Sequence, residues 1–213
     1  MMSEDEKLPI IQKALELCYR KAIEGVGTIK SAQELAEEYL SLSNGNKEEA
    51  ANSLIRWSAI KAAGSGFVTG FGGFLTLPVA IPADTDMAAT YFIQLRMIAA
   101  VAHMGGHDVQ SDRVKTLCFT CLFGQAGMDT FSEKIGIPVT KKLVTKMIQK
   151  VPGKMLIKIN KAVGFRLLTK AGKKGTVNLI KMVPPVAALA GGGFNYFTSW
   201  SAGKFAKKTF ITA

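Results

Sequence analysis

Two stretches of the chain, residues 62–83 and 182–203, carry no charged side chain at all. Each is long enough to cross a bilayer as a helix. Neither is built as a straight helix. The first holds five Gly together with Pro78 and Pro82. The second contains Pro184-Pro185 near its start and is interrupted by Gly191-Gly192-Gly193. Gly and Pro are the poorest residues for a helix interior, whereas small residues let neighbouring backbones approach closely. Such stretches must leave water, either inside a tight helix-and-turn core or in lipid. Flanking charge gives the first a direction: Arg56 and Lys61 precede it, Asp84 and Asp86 follow, which would put its N-terminal side in the cytoplasm. Lysines flank the second on both sides, so the same rule gives it none.

The rest of the chain reads as helix, with no sustained alternation of the kind a half-buried strand needs. Leu8, Ile11, Leu15 and Cys18 mark one face of a first amphipathic helix ending near Gly25–Gly27. Ser31 with Glu34 forms a capping box for a helix over 32–41, and Asn46 with Glu49 caps the next, 47–63. Residues 84–104 predict a strongly apolar helix closed by Gly105-Gly106. Ser111 caps a helix expected over 112–135, with Val114, Leu117, Cys118, Cys121 and Leu122 inward. Two basic amphipathic helices, 139–151 and 154–171, are split by Pro152-Gly153.

Charge is unevenly divided. Residues 1–133 carry all 16 acidic side chains and 11 basic ones, a net of −5. Residues 134–213 carry 16 basic side chains and no Asp or Glu, a net of +16. Eighty residues without a side-chain carboxylate cannot neutralise themselves by pairs one helical turn apart. Their countercharge comes either from the acidic front of the chain or from an outside polyanion, such as anionic lipid or nucleic acid. Lys142, Lys146, Lys150, Lys154, Lys158 and Lys161 lie opposite the apolar stripes of the two basic helices, an arrangement suited to a membrane surface. These six are the candidate anionic-lipid-binding residues, each worth about 1 kcal/mol near such a surface. Nucleic acid is disfavoured as a partner, because no recognisable fold or basic–aromatic interleaving supports it.

The chain offers little conventional chemistry. Gly64, Gly66 and Gly70 fall after a helix rather than a strand, which argues against a dinucleotide loop. Cys118 and Cys121 form a CxxC expected to be core, with no second pair to complete a zinc site. His103 and His107 have metal-ligand spacing, but Gly105-Gly106 interrupts the helix between them. No cofactor, metal ligand set or catalytic residue is assigned. The alternative to a binding role is a helical, lipid-directed enzyme using a polar pocket of Asp86, Gln94, Arg96 and His103. Asp86, Thr90 and Gln94 form one polar seam, while Arg96 and His103 share another face. A partly buried Arg96 needs a partner, and Asp129 or Glu133 is the expected one.

An ordered set of motifs resembles the EcsC protein family. It runs through Gly66-Phe67-Val68-Thr69-Gly70-Phe71-Gly72-Gly73, Leu77-Pro78-Val79-Ala80-Ile81-Pro82-Ala83-Asp84, Gln94-Leu95-Arg96-Met97-Ile98-Ala99-Ala100 and Gly105-Gly106. It continues with Lys170-Ala171-Gly172-Lys173-Lys174-Gly175, then Val183-Pro184 before Gly191-Gly192-Gly193-Phe194-Asn195. Pro185-Val186-Ala187-Ala188 departs from it, since the family often has more glycine there. The resemblance implies an all-α, hydrophobic, membrane-associated protein, with an ABC transporter or other membrane protein as a partner. It supplies no catalytic residues.

The sequence therefore predicts a single all-α domain over 1–213, a compact bundle of eight to ten helices with the two Gly-rich apolar segments at its centre. Acidic N-terminal helices span 1–61, apolar core helices 62–133 and the basic portion 134–213. The acidic start is unlike a secretory signal. The expected role is a non-enzymatic accessory protein on anionic lipid, at the cytoplasmic face of a membrane.

Overall fold

The computed structural model describes residues 4–64, 85–124, 129, 133, 151–160, 162 and 192–211. They form an all-α bundle of α1 (Glu4–Glu24), α2 (Ala32–Leu42), α3 (Lys47–Ala63), α4 (Thr85–Met104), α5 (Asp112–Leu122) and α6 (Gly192–Phe210). Residues 153–160 are also helical. Among the described residues, the β structure is limited to one isolated bridge, Val26–Ile29, between α1 and α2.

Local chemistry sets the starts of α2 and α3. The Ser31 hydroxyl accepts from the Glu34 N–H at 3.2 Å, and the Glu34 carboxylate accepts from the Ser31 N–H at 2.7 Å. Asn46 Oδ1 accepts from the N–H groups of Glu48 and Glu49 at 3.1 and 3.2 Å. The backbone N–H of Ser31, helped by its hydroxyl, holds the Glu34 carboxyl below its ordinary pKa. The cap is therefore complete above the ordinary carboxylate pKa and is lost as pH falls through the lower folded value. Replacing Ser31 by alanine is expected to cost about 1 kcal/mol in urea unfolding at neutral pH. An unchanged midpoint would show that the box contributes nothing.

The central element is α4, which packs against all five other named helices. Its sequence explains this, because apolar residues lie on every side of the helix, with few polar ones between them, and such a helix belongs inside. Phe92, Ile93, Leu95, Met104 and the run Met97–Ala102 are all buried. On α6, Gly203 sits where α3, α4 and α6 meet. A Cβ added there would lie 2.7 Å from Ile55 Cγ1 and 3.0 Å from Met97 Sδ, so the missing side chain is what allows the three helices to close up.

Cross-helix partners fix the directions. Lys207 pairs with Glu48, and both Lys204 and Lys207 donate to Asn52 Oδ1, so α6 runs antiparallel to α3. Gln94 meets Thr198 and Ser199, and Met97 meets Gly203, so α6 runs parallel to α4. The C-terminus of α3 and the N-termini of α4 and α6 consequently share one end of the bundle. Part of the second uncharged stretch, 192–203, belongs to α6 against α3 and α4. Residues 65–83 and 182–191 lie outside the described residues, as does most of the expected helix 139–151.

One helix is shorter than its sequence suggests. The expected helix over 112–135 stops at Leu122. Phe123 closes it, and Gly124 follows with φ +56°, a left-handed conformation that ends helices and suits glycine. Asp129 and Glu133 are again helical, beyond this break. All five residues predicted inward on α5 are buried, and so are Thr116, Phe119 and Thr120. The two buried threonine hydroxyls donate to Asp112 O and Thr116 O, each at 2.8 Å, which satisfies them within the helix. No described helix is long and apolar enough to cross a membrane.

Candidate functional site

The polar residues of α4 part company in the fold. Gln94 is 3% exposed and faces α6. Its amide donates to Ser199 Oγ at 2.9 Å and to Thr198 Oγ1 at 3.2 Å. Thr90, one turn earlier, is also buried. Thr90 and Gln94 are thus both buried, and Gln94 forms a polar tie between α4 and α6. The backbone of Asp86 lies in the first turn of α4, while its side chain lies outside the described residues.

Arg96 lies on the opposite side, two residues on from Gln94. Its Nη1 donates to the Lys30 carbonyl at 3.3 Å, and its guanidinium lies 5.9 Å from the centre of the Phe92 ring. Burial pulls its pKa down, and the neighbouring Tyr39 and Glu38 partly restore it. Lys30 itself pairs with Glu38 at 3.2 Å. The expected partner, Asp129 or Glu133, is thus replaced by the loop before α2 and by α2 itself. The reason is topological: α2 packs along this face of α4, and the break at Gly124 separates Asp129 and Glu133 from α5. His103 faces α2 as well, with Nε2 4.0 Å from Glu37 Oε1. Arg96 and His103 therefore do share a face, as their spacing predicts. Gln94, Arg96 and His103 make no hydrogen bond to one another, and Gln94 points away from the other two. As observed, these side chains join helices.

The thiols are equally unsuited to chemistry. Cys18, Cys118 and Cys121 are buried thiols, none of them in a disulfide. Burial pushes the Cys18 thiol up to about 11 and Cys121 up to about 12, and drives Cys118 well above its ordinary value. The thiolate is the reactive form, so these residues act as small hydrophobes. Cys121 donates weakly to Thr209 Oγ1 at 3.6 Å, and the Tyr19 hydroxyl near Cys118 donates to Val109 O at 2.8 Å. His107 turns to α6, its Nε2 3.3 Å from Phe210 O, and so has a different partner from His103.

The basic face is described in part. Lys142, Lys146, Lys150 and Lys161 lie outside the described residues. Lys154 and Lys158 are exposed on the helical segment 153–160, and Leu156 and Ile159 are buried beneath, with Met155 partly so. Neither lysine has an acidic partner among the described residues. Sequence reasoning missed Ile157, which is 69% exposed on the lysine side. Its aliphatic identity gives no hint of this, since Leu156 beside it is core.

Elsewhere in the carboxylate-free portion the charge is partly quenched. Lys207 pairs with Glu48, and Lys204 combines its bond to Asn52 with a position 5.6 Å from the centre of the Trp200 ring. The long-range partners Glu48 and Asn52, together with Thr198, Ser199, Lys30 and Glu38, had no signal in the sequence.

The chain is basic, glycine-interrupted and all-α. No curated protein and no solved structure matches it. A family match does exist, over residues 5–212, nearly the whole length. The chain belongs to the EcsC protein family.

Proposed function

We propose that this protein is a non-enzymatic, membrane-associated accessory protein that binds anionic lipid surfaces through its basic rear portion. The observation that carries this reading is the absence of any Asp or Glu from residues 134–213, which hold 16 basic side chains. The described part of the lysine-rich segment supports it: Lys154, Ile157 and Lys158 face outward above buried Leu156 and Ile159. That combination of cations and one exposed aliphatic side chain suits the headgroup region of a bilayer. The site is the cytoplasmic face of a membrane, and an ABC transporter or another membrane protein is the partner class to which the family resemblance points. An enzymatic reading gains nothing from α4, where Gln94 and Arg96 diverge.

The test is co-sedimentation with phosphatidylcholine vesicles, with and without phosphatidylserine, over a salt series. Binding is expected only with the acidic lipid, weakening as salt rises. The double substitution Lys154→Ala/Lys158→Ala is expected to weaken it about thirtyfold. Failure of the wild-type chain to bind acidic vesicles at low salt would sink the reading.

A further inference from the structure

The carboxylate-free portion also contains α6, and α6 carries exposed aromatic residues. Tyr196, Trp200 and Lys204 stand at i, i+4 and i+8 along one face. Tyr196 is 38% and Trp200 40% exposed, and the Lys204 ammonium sits over the Trp200 ring. The antiparallel register with α3 is set by Glu48 with Lys207, Asn52 with Lys204, and Ile55 with Gly203. Continuing that register puts Arg56 about level with Trp200, and Ile60 about level with Tyr196. Both Arg56 and Ile60 are exposed, so one outer face of the α3–α6 pair gathers two cations, two aromatic rings and an aliphatic side chain.

Charge along this face is graded. The acidic residues of α3, Glu48 and Glu49, lie in its first turn, beside Lys207, and α6 has no carboxylate at all. The face therefore becomes purely cationic toward the end where α3 finishes and α6 begins. That same end is where the chain leaves α3 into 65–83 and returns to α6 from 182–191, neither of which contains a charged residue. Tyr and Trp beside Lys and Arg, next to uncharged chain, is the composition of a membrane–water interface.

We propose that this outer face of α3 and α6 is a second surface that meets the bilayer, in addition to the Lys154–Lys158 segment, with Trp200 and Tyr196 at headgroup level and Arg56 and Lys204 against lipid phosphates. This rests on the anionic-membrane reading above and adds a second contact face to it.

The chain has two tryptophans, so Trp57→Phe leaves Trp200 as the only one. Trp57 is half exposed on α3, and circular dichroism should show the variant folded. With vesicles of phosphatidylserine and phosphatidylcholine brominated near the headgroup end of its chains, Trp200 emission is expected to shift to the blue and to be quenched. Trp200→Ala should weaken vesicle binding about tenfold, and Trp200→Tyr should restore most of it. Vesicle binding with no shift or quenching of Trp200 would overturn this face and leave the lipid reading standing. Failure of the wild-type chain to bind acidic vesicles, including a chain that instead retains duplex DNA, would overturn both.

Discussion

Replacing Gly105 by alanine is expected to lower the unfolding free energy by about 3 kcal/mol and the melting temperature by roughly 10 °C. Gly105 follows the last residue of α4 and donates its N–H to Val101 O at 3.1 Å. A Cβ built there would run into the carbonyl of Phe210, the last residue of α6, and would lie 3.0 Å from His107 Cδ2. A backbone carbonyl cannot rotate aside as a side chain can. The same carbonyl lies 3.3 Å from His107 Nε2, and the His107 and Phe210 rings pack at 5.2 Å. Pushing Phe210 away would therefore disturb both contacts at once. Gly106 is the control. It has φ +85° with nothing near an added Cβ, so Gly106→Ala should cost only about 1 kcal/mol of backbone strain. Equal melting temperatures for Gly105→Ala and the wild type would mean that α6 does not end against this turn.

A second large effect is expected at Gln94. Gln94→Leu should cost about 2 kcal/mol, because Ser199, which has no solvent exposure, loses the donor of its 2.9 Å hydrogen bond. Thr198 is less affected, since its hydroxyl also donates to Asn195 O. Adding Ser199→Ala removes the orphaned group, so the double variant should recover at least half of the loss. A double-mutant cycle in urea reads this directly. Strict additivity of the two single effects would show that the pair is not energetically coupled, and that α4 and α6 are held by packing alone.

Both experiments probe contacts that the sequence does not announce. The polar seam of Thr90 and Gln94 can be read from its spacing, because residues four apart on a helix share a face. That Gln94 meets Thr198 and Ser199, more than a hundred residues later, cannot. Arg96 shows the limit most clearly. Its apolar neighbours reveal that the guanidinium is half buried and needs a partner. The choice of Lys30 O over Asp129 or Glu133 depends on α2 lying along α4, and on Gly124 ending α5 early. The lysines divide in the same way. Their excess over carboxylates is plain in the sequence, but Lys207 is neutralised by Glu48 while Lys154 and Lys158 remain exposed.

The sequence by itself determined the helical class, the family, the starts of α2, α3 and α5, and the apolar character of α4. Each of these follows from interactions within a turn or two of the chain, or from an ordered motif set: a Ser or Asn side chain reaching its third residue, an uninterrupted apolar run, a glycine stop. Tertiary structure alone decided which faces meet, and so which charges are quenched, and why Gly105 and Gly203 have no room for a side chain. Those outcomes depend on contacts between residues far apart in the chain, where packing and burial, rather than local periodicity, select the partner.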